Sequence, residues 1–273
     1  MVKVAFQGER GAFSEDAATK LFGGDIDFLP CVGLKEAFEL VSHDKVEFGI
    51  VPLENSQAGS INETYDLLLA YPLNIFAEVI LKVSHCLMAL SGQKLADITT
   101  IYSHAQALAQ CTEFLSKLNV EIISSYDTAG SAKMIKEKKL RNCAAIASKR
   151  AADIYELDIL APEIETSVNN YTKFAAISKQ KAKPAQRNKT SLVFTAEHKP
   201  GSLYRILGIF ATRNINLTKL ESRPSRREPW EYVFYADFEG HVDGEVYQDA
   251  MRELQREATF VKILGSYPQA TRS

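Results

Sequence analysis

No apolar run in this 273-residue sequence is long enough to span a bilayer, so no membrane association is expected. Cysteine is sparse: Cys31, Cys86, Cys111 and Cys143 are scattered through apolar surroundings. They lack metal-ligand spacing and read as reduced core residues of a cytoplasmic protein. The five histidines (His43, His85, His104, His198 and His241) never pair at ligand spacing either, so no metal is expected. Charge of one sign is not in excess. The formal net charge of -2 gives no reason to expect nucleic acid or an anionic membrane as partner. The three spaced glycines of a dinucleotide site are missing, which excludes a nucleotide cofactor. No signal-peptide layout precedes the first strand, which starts at residue 2.

What is present is an ordinary globular composition, 46% hydrophobic and 24% charged, in a length that suits about two domains. Residues 2–6 alternate as a strand. Gln7-Gly8-Glu9-Arg10-Gly11-Ala12-Phe13-Ser14 follows, then a helix over 15–21. Its two glycines allow a tight turn with bare N–H groups, and such a helix start can hold an anion. Leu34, Ala37, Phe38 and Val41 make a helical core stripe, and 48–51 a buried strand. The loop from Pro52 to Ser60 carries Glu54, Asn55 and Ser56, which fit a hydrogen-bonded turn or a ligand loop equally well. Ser60 with Glu63 fits a capping box.

Strands are expected over 74–79, 82–90 and 99–102, the second long enough to carry the chain from one lobe to another. The third opens into Ser103-His104-Ala105-Gln106-Ala107-Leu108-Ala109-Gln110-Cys111. Ser103 and Gln106 fit a second capping box. Gln106 and Gln110 lie one turn apart and, with His104, offer a neutral hydrogen-bonding surface. A strand over 121–125 precedes Asp127-Thr128-Ala129-Gly130-Ser131-Ala132 and a short helix ending in lysines. After a strand at 142–147, Ser148 caps a helix-like run over 149–155 and on to 160. The polar turn Asn169-Asn170-Tyr171-Thr172-Lys173-Phe174 then leads into an apolar strand over 174–177. Thr172 there is a hydroxyl with a cation beside it, at the mouth of a strand, where sites collect. Residues 1–178 thus read as α/β, two small lobes facing one cleft, with polar clusters at strand-to-helix joints.

Residues 179–189 carry Lys179, Lys181, Lys183, Arg187 and Lys189 with no acid, and read as a solvated hinge. Residues 190–273 change pattern. They give a strand over 190–196, a helix after Pro200-Gly201-Ser202, strands over 214–223 and 231–238, a second helix with Tyr247, Ala250, Met251 and Leu254, and a strand over 259–266. The order βαββαβ is ferredoxin-like. Its free face or an edge is expected to be covered by a second chain.

Together these motifs resemble the prephenate dehydratase family, over nearly the whole chain. The likeness runs through Gly8-Glu9-Arg10-Gly11-Ala12-Phe13-Ser14-Glu15, Pro52-Leu53-Glu54-Asn55-Ser56, Ser103-His104-Ala105-Gln106-Ala107-Leu108 with Gln110, and Asn170-Tyr171-Thr172-Lys173-Phe174. The C-terminal part is similar to an ACT domain through Gly201-Ser202-Leu203-Tyr204 and Leu217-Thr218-Lys219-Leu220-Glu221-Ser222-Arg223-Pro224. The resemblance implies a catalytic domain at 1–178, two-lobed like type II periplasmic binding proteins, then a linker at 179–189 and an ACT regulatory domain at 190–273.

It further implies conversion of prephenate to phenylpyruvate without metal or cofactor, and feedback control by L-phenylalanine in a homodimer or homotetramer. Thr172, Asn55, Ser103 and Gln110 would be catalytic, with Thr172 a hydrogen-bond donor to the departing oxygen. Gly11, Ala12, Phe13, Ser14, Glu54, Ser56, His104, Gln106, Ser131, Asn170, Lys173 and Phe174 would bind substrate, with helix starts near Gly11 and Ser131 receiving its carboxylates. Gly201, Ser202, Leu203, Asn216, Leu217, Thr218, Glu221 and Ser222 would hold L-phenylalanine, Glu221 meeting its ammonium. The family's Thr-Arg-Phe is Thr172-Lys173-Phe174 here. A lysine cannot clamp a carboxylate at two points as an arginine can, so Lys173 is either a weaker substrate grip or a structural prop. The alternatives are a non-enzymatic small-molecule receptor and an inactive paralogue with an amino-acid sensor. With the first strand at residue 2, no fused chorismate mutase is expected.

Overall fold

Alternating Val2, Val4 and Phe6 start the first sheet of the computed structural model, which describes residues 1–225 and 232–271. In chain order come β1 (Val2–Gln7), α1 (Phe13–Phe22), β2 (Ile26–Cys31), α2 (Leu34–Ser42), β3 (Phe48–Asn55), β4 (Gly59–Ser60), α3 (Asn62–Ala70) and β5 (Asn74–Lys82). They are followed by β6 (Cys86–Ala89), β7 (Thr100–His104), α4 (Ala105–Gln110), α5 (Thr112–Leu115), β8 (Glu121–Ser125), α6 (Thr128–Lys138), β9 (Cys143–Ala147), α7 (Lys149–Tyr155), β10 (Asp158–Ala161) and β11 (Tyr171–Ser178).

The first sheet has the order β2-β1-β3-β11-β5, with β4 on β3; the second is β10-β6-β9-β7-β8. β1 pairs in parallel with β2 and β3, as does β7 with β8 and β9, because helices make the crossovers. The stripe Leu34, Ala37, Phe38 and Val41 is buried on α2, as its spacing predicts. Leu87, Ile101, Cys111, Leu115, Ala144 and Ile146 belong to the core of the second lobe.

Residues 1–64 and 79–174 form one compact unit, and residues 65–78 and 175–273 another. Among the described residues no helix is long and apolar enough to cross a membrane, and no group of His, Cys, Asp or Glu could hold a metal.

Three local expectations are corrected. The helix from 149 stops at Tyr155, where Glu156 turns left-handed (φ 49), and 158–161 is strand β10 on β6. The strand expected over 82–90 is broken: β5 ends at Lys82 and β6 starts at Cys86. Ser60 lies in β4, two residues before α3, and so does not occupy the helix's cap position.

In the second unit β12 (Asn188–Thr195), α8 (Ser202–Ala211), β13 (Leu217–Pro224), β14 (Tyr232–Glu239), α9 (Glu245–Glu257) and β15 (Phe260–Pro268) give the order βαββαβ. The sheet is β13-β14-β12-β15, antiparallel throughout. Residue 231, expected to open the third strand, lies outside the described residues. Leu192, Phe194, Ala236 and Phe238 point to the helices and pack on Ile206, Phe210, Ala250 and Leu254. The opposite face meets the chain's own residues 65–78, which leaves an edge strand as the place for a second chain. Tyr65 packs on Tyr235 with ring centroids 5.0 Å apart, and Arg223 pairs with Asp66 at 3.2 Å. Lys262 donates to the carbonyls of Leu68, Leu69 and Tyr71, the acceptors left over at the C-terminus of α3.

Lys189 is likewise not part of a solvated hinge. β12 starts at Asn188, and the Lys189 ammonium is buried in an ion pair with Glu78 and lies 3.6 Å from Asp237. Ser191 donates to Asp237 at 2.6 Å and so accepts from the Tyr267 hydroxyl, which burial keeps protonated. A buried cation persists when it is paired like this.

Candidate active site

Asn55 ends β3, and its side-chain oxygen accepts the backbone N–H groups of Gln57 and Ala58, both at 3.0 Å. This Asx-type turn orients the amide. Its NH2 therefore faces β11 and donates to Asn170 Oδ1 at 2.8 Å and to Thr172 Oγ1 at 3.0 Å. All three residues are buried. Thr172 lies inside strand β11 rather than in a turn before it, so the sheet holds its side chain in place. Its oxygen accepts from Asn55, which leaves the hydroxyl proton for another acceptor.

Thr172 opens onto a cavity of about 270 Å³ with Asn55, Phe174, Ala12, Phe13 and Ser14 from the first lobe and His104, Gln106 and Gln110 from the second. Asn170 lies behind this wall and joins the lobes, donating to Gln110 Oε1 at 2.9 Å. Further bonds close the same seam: Ser148 to the Gly11 carbonyl (2.6 Å), Lys133 to Glu9 (3.0 Å), and Arg150 to Asp16. Gly11 has φ 88, and a Cβ there would stand 2.7 Å from the Ala151 Cα, so this close approach requires glycine.

The cavity lining has no lysine or arginine among the described residues. Negative charge would be received by amides, hydroxyls and the start of α1. Ala12 caps that helix without a side-chain hydrogen bond, and Phe13 and Ser14 face the cavity. A helix start without a capping side chain is a natural place for a carboxylate. The acids of its first turn are already matched: Arg10 bonds both oxygens of Glu15, and Arg150 pairs with Asp16.

Other expected site residues fall outside the cavity lining. Ser103 does not cap α4; it is fully buried and donates to the Ile146 carbonyl at 2.6 Å, while His104 Nδ1 accepts the Gln106 N–H instead. Ser131 is buried against Ser125 and the Asp127 carbonyl. The start of α6 is already taken by the Asp127 carboxylate, which accepts from the Gly130 N–H at 2.6 Å. Burial pushes the Asp127 carboxyl above its usual range. A second carboxylate at this helix start would meet the Asp127 carboxyl.

Ser56 is exposed and ties the Asn169 carbonyl and Tyr171 N–H together. Lys173 pairs with Glu54 at 3.2 Å, and neither lines the cavity, an arrangement that fits the structural-prop reading of Lys173. Gln7, His85, Tyr126, Asp127 and Thr128 line it without having been anticipated. The Asp127-to-Gly130 spacing is a helix-start pattern that could have drawn attention to Asp127. Cys31 and Cys111 are pushed up to about 11 and about 12 by burial, which makes them inert thiols.

In the second unit, Gly201 takes the left-handed conformation (φ 83) that starts α8. Ser202 is buried and accepts from Arg205 at 3.3 Å. Leu203 packs on the sheet core, as does Leu217. Asn216 accepts the Glu239 N–H through its carbonyl, and Thr218 bonds the Asp237 carbonyl. Ser222 is exposed on the edge strand β13. Glu221 already holds a cation, Lys219 at 3.2 Å, so an arriving ammonium would share it.

Residues 4–182 match the prephenate dehydratase family and residues 190–258 the ACT domain family. The chain is 44% identical to "Arogenate dehydratase/prephenate dehydratase 2, chloroplastic" of Arabidopsis thaliana, over 99% of this chain and 74% of that protein. Among solved structures it is similar to the prephenate dehydratase of Arthrobacter aurescens in complex with L-Phe. The TM-score is 0.90 and the identity 31%, covering 98% of this chain and 90% of that one. It is also similar to GqqA, described as a novel type of quorum-quenching acylase, with TM-score 0.88, 32% identity and 98% of both chains covered. On this sequence and fold likeness, the chain belongs to the prephenate dehydratase family of hydro-lyases and carries a C-terminal ACT domain.

Proposed function

We propose that this enzyme converts prephenate to phenylpyruvate and is inhibited by L-phenylalanine through its ACT domain. The ring C–O bond breaks, and the ring carboxylate leaves as carbon dioxide. The electron pair of its C–C bond completes the aromatic ring, and the departing oxygen takes up a proton and leaves as water. The observation that carries this reading is the Asn55 amide donating to Thr172 Oγ1 at 3.0 Å. It leaves Thr172 with one proton to offer, and among the described residues no base accepts a hydrogen bond from it. Such a hydroxyl acts as a donor aimed at developing negative charge. The start of α1 receives a substrate carboxylate, and Gln106 and Gln110 orient the ring.

L-phenylalanine would bind around Gly201 and the edge strand β13, between the ACT domains of two copies, and favour a less active arrangement of the enzyme. Incubation with prephenate should yield phenylpyruvate, followed by its absorbance in base, and a phenylalanine titration should depress the rate. Turnover of arogenate alone would move the substrate assignment. A rate unchanged across the titration would remove the regulatory one.

A further inference from the structure

We propose that His85 is a positioning residue that locks the far end of a relay of active-site amides, helping Asn170 to hold Gln110 with its oxygen turned away from the substrate and its NH2 group toward it. This rests on the dehydratase reading for its rate test only. The deduction starts at two groups that can only donate, the backbone N–H of Gln57 and of Ala58, both on Asn55 Oδ1. They orient Asn55, so its NH2 faces Asn170 and Asn170 must answer with Oδ1 at 2.8 Å. The Asn170 NH2 then donates to Gln110 at 2.9 Å, which requires the Gln110 oxygen at that contact. The same oxygen lies 2.9 Å from His85 Nε2, and an oxygen without a hydrogen can only be met by an N–H. His85 is therefore the Nε2–H tautomer.

With its oxygen doubly occupied, Gln110 has its NH2 hydrogens left for the cavity that it lines. A reversed Gln110 would present an oxygen to a dianionic substrate. Thr172 at one end of the relay and Gln110 at the other thus both face the substrate as donors.

His85 is built for this task. It is buried, and its backbone N–H bonds Glu165 at 2.9 Å while its carbonyl accepts the Ile164 N–H at 2.9 Å. The Phe13 ring meets it edge-on, with centroids 5.6 Å apart. Nδ1 is buried with no hydrogen-bond partner among the described residues. A second proton there would be a bare buried cation, so the ring stays neutral. Burial lowers the His85 pKa, against the weaker opposing pulls of the Gln110 bond and the Glu165 charge.

The test compares His85→Phe with His85→Gln. Phenylalanine keeps the ring contact and loses the donor; glutamine can restore an N–H to Gln110. His85→Phe should lower kcat/KM by about 10- to 100-fold, part of it as a raised KM because Gln110 meets the bound substrate, and His85→Gln should recover most of that loss. A His85→Phe enzyme as fast as wild type, or a His85→Gln enzyme equally slow, overturns the assignment. Nitrogen-15 NMR of the wild-type ring gives an independent reading that needs no turnover. It should show the proton on Nε2, retained below the usual histidine pKa of about 6.5. A neutral ring protonated on Nδ1 overturns the proposal. Wild-type protein that makes no phenylpyruvate sinks the dehydratase reading and leaves the NMR result to decide the role of His85.

Discussion

Replacing Thr172 by valine is expected to lower kcat for phenylpyruvate formation by about 10²- to 10³-fold, with KM changed little. Valine fills the same space in a strand and suits it as well as threonine, so the loss reports the hydroxyl, as donor to the departing oxygen and as acceptor from Asn55. The donor matters because the departing oxygen gathers charge that the intact substrate does not carry. An interaction made only as that charge develops lowers kcat rather than raising KM.

Asn55→Asp is the companion variant. One carboxylate oxygen would still accept the Gln57 and Ala58 N–H groups, but the other would replace the NH2 that now meets Thr172 and Asn170. Thr172 would then turn its proton to the new acid and lose it for catalysis. A loss of similar size is expected although the threonine is intact. Full activity in Asn55→Asp would show that the direction of this bond is irrelevant.

The largest effect on stability is expected from Lys189→Ala, a loss of about 3–5 kcal/mol, because a broken buried pair leaves uncompensated charge. Glu78 and Asp237 would face each other in an enclosed site without their cation. The Glu78 side chain also accepts the Ala270 N–H at 3.0 Å, so it cannot swing out to water without losing that bond as well. A urea melt of the two proteins measures the difference. Lys189→Met combined with Glu78→Gln should recover part of it, since the charge is removed from both sides. A midpoint shift of only a few tenths of a molar for Lys189→Ala would show that water reaches the cluster.

Much of this is legible in the sequence itself. Asn55 and Thr172 stand at strand ends among polar neighbours, where a sheet both holds a side chain and leaves it reachable, and the α2 stripe follows directly from helical spacing. What stayed hidden depends on partners distant in sequence. Lys189 looks like one more cation in a basic run, because Glu78 is 111 residues away. Ser103 has a hydroxyl suited to capping a helix, and nothing local reveals that it is used on the Ile146 carbonyl. His85 sits in an apolar stretch that scans as one strand. Only the break between β5 and β6 brings its ring to Gln110. Residues 65–78 fall within the catalytic domain expected over 1–178, since no pattern in the sequence says that a segment will serve another sheet.

That borrowed segment sets how the sensor module can be isolated. Cutting at the hinge and expressing 190–273 alone would strip the β-sheet of its lid, exposing Tyr235 and leaving Arg223 without Asp66. Such a fragment should be sticky and poorly behaved in solution, and a version with 65–78 grafted back on through a flexible tether should be well behaved.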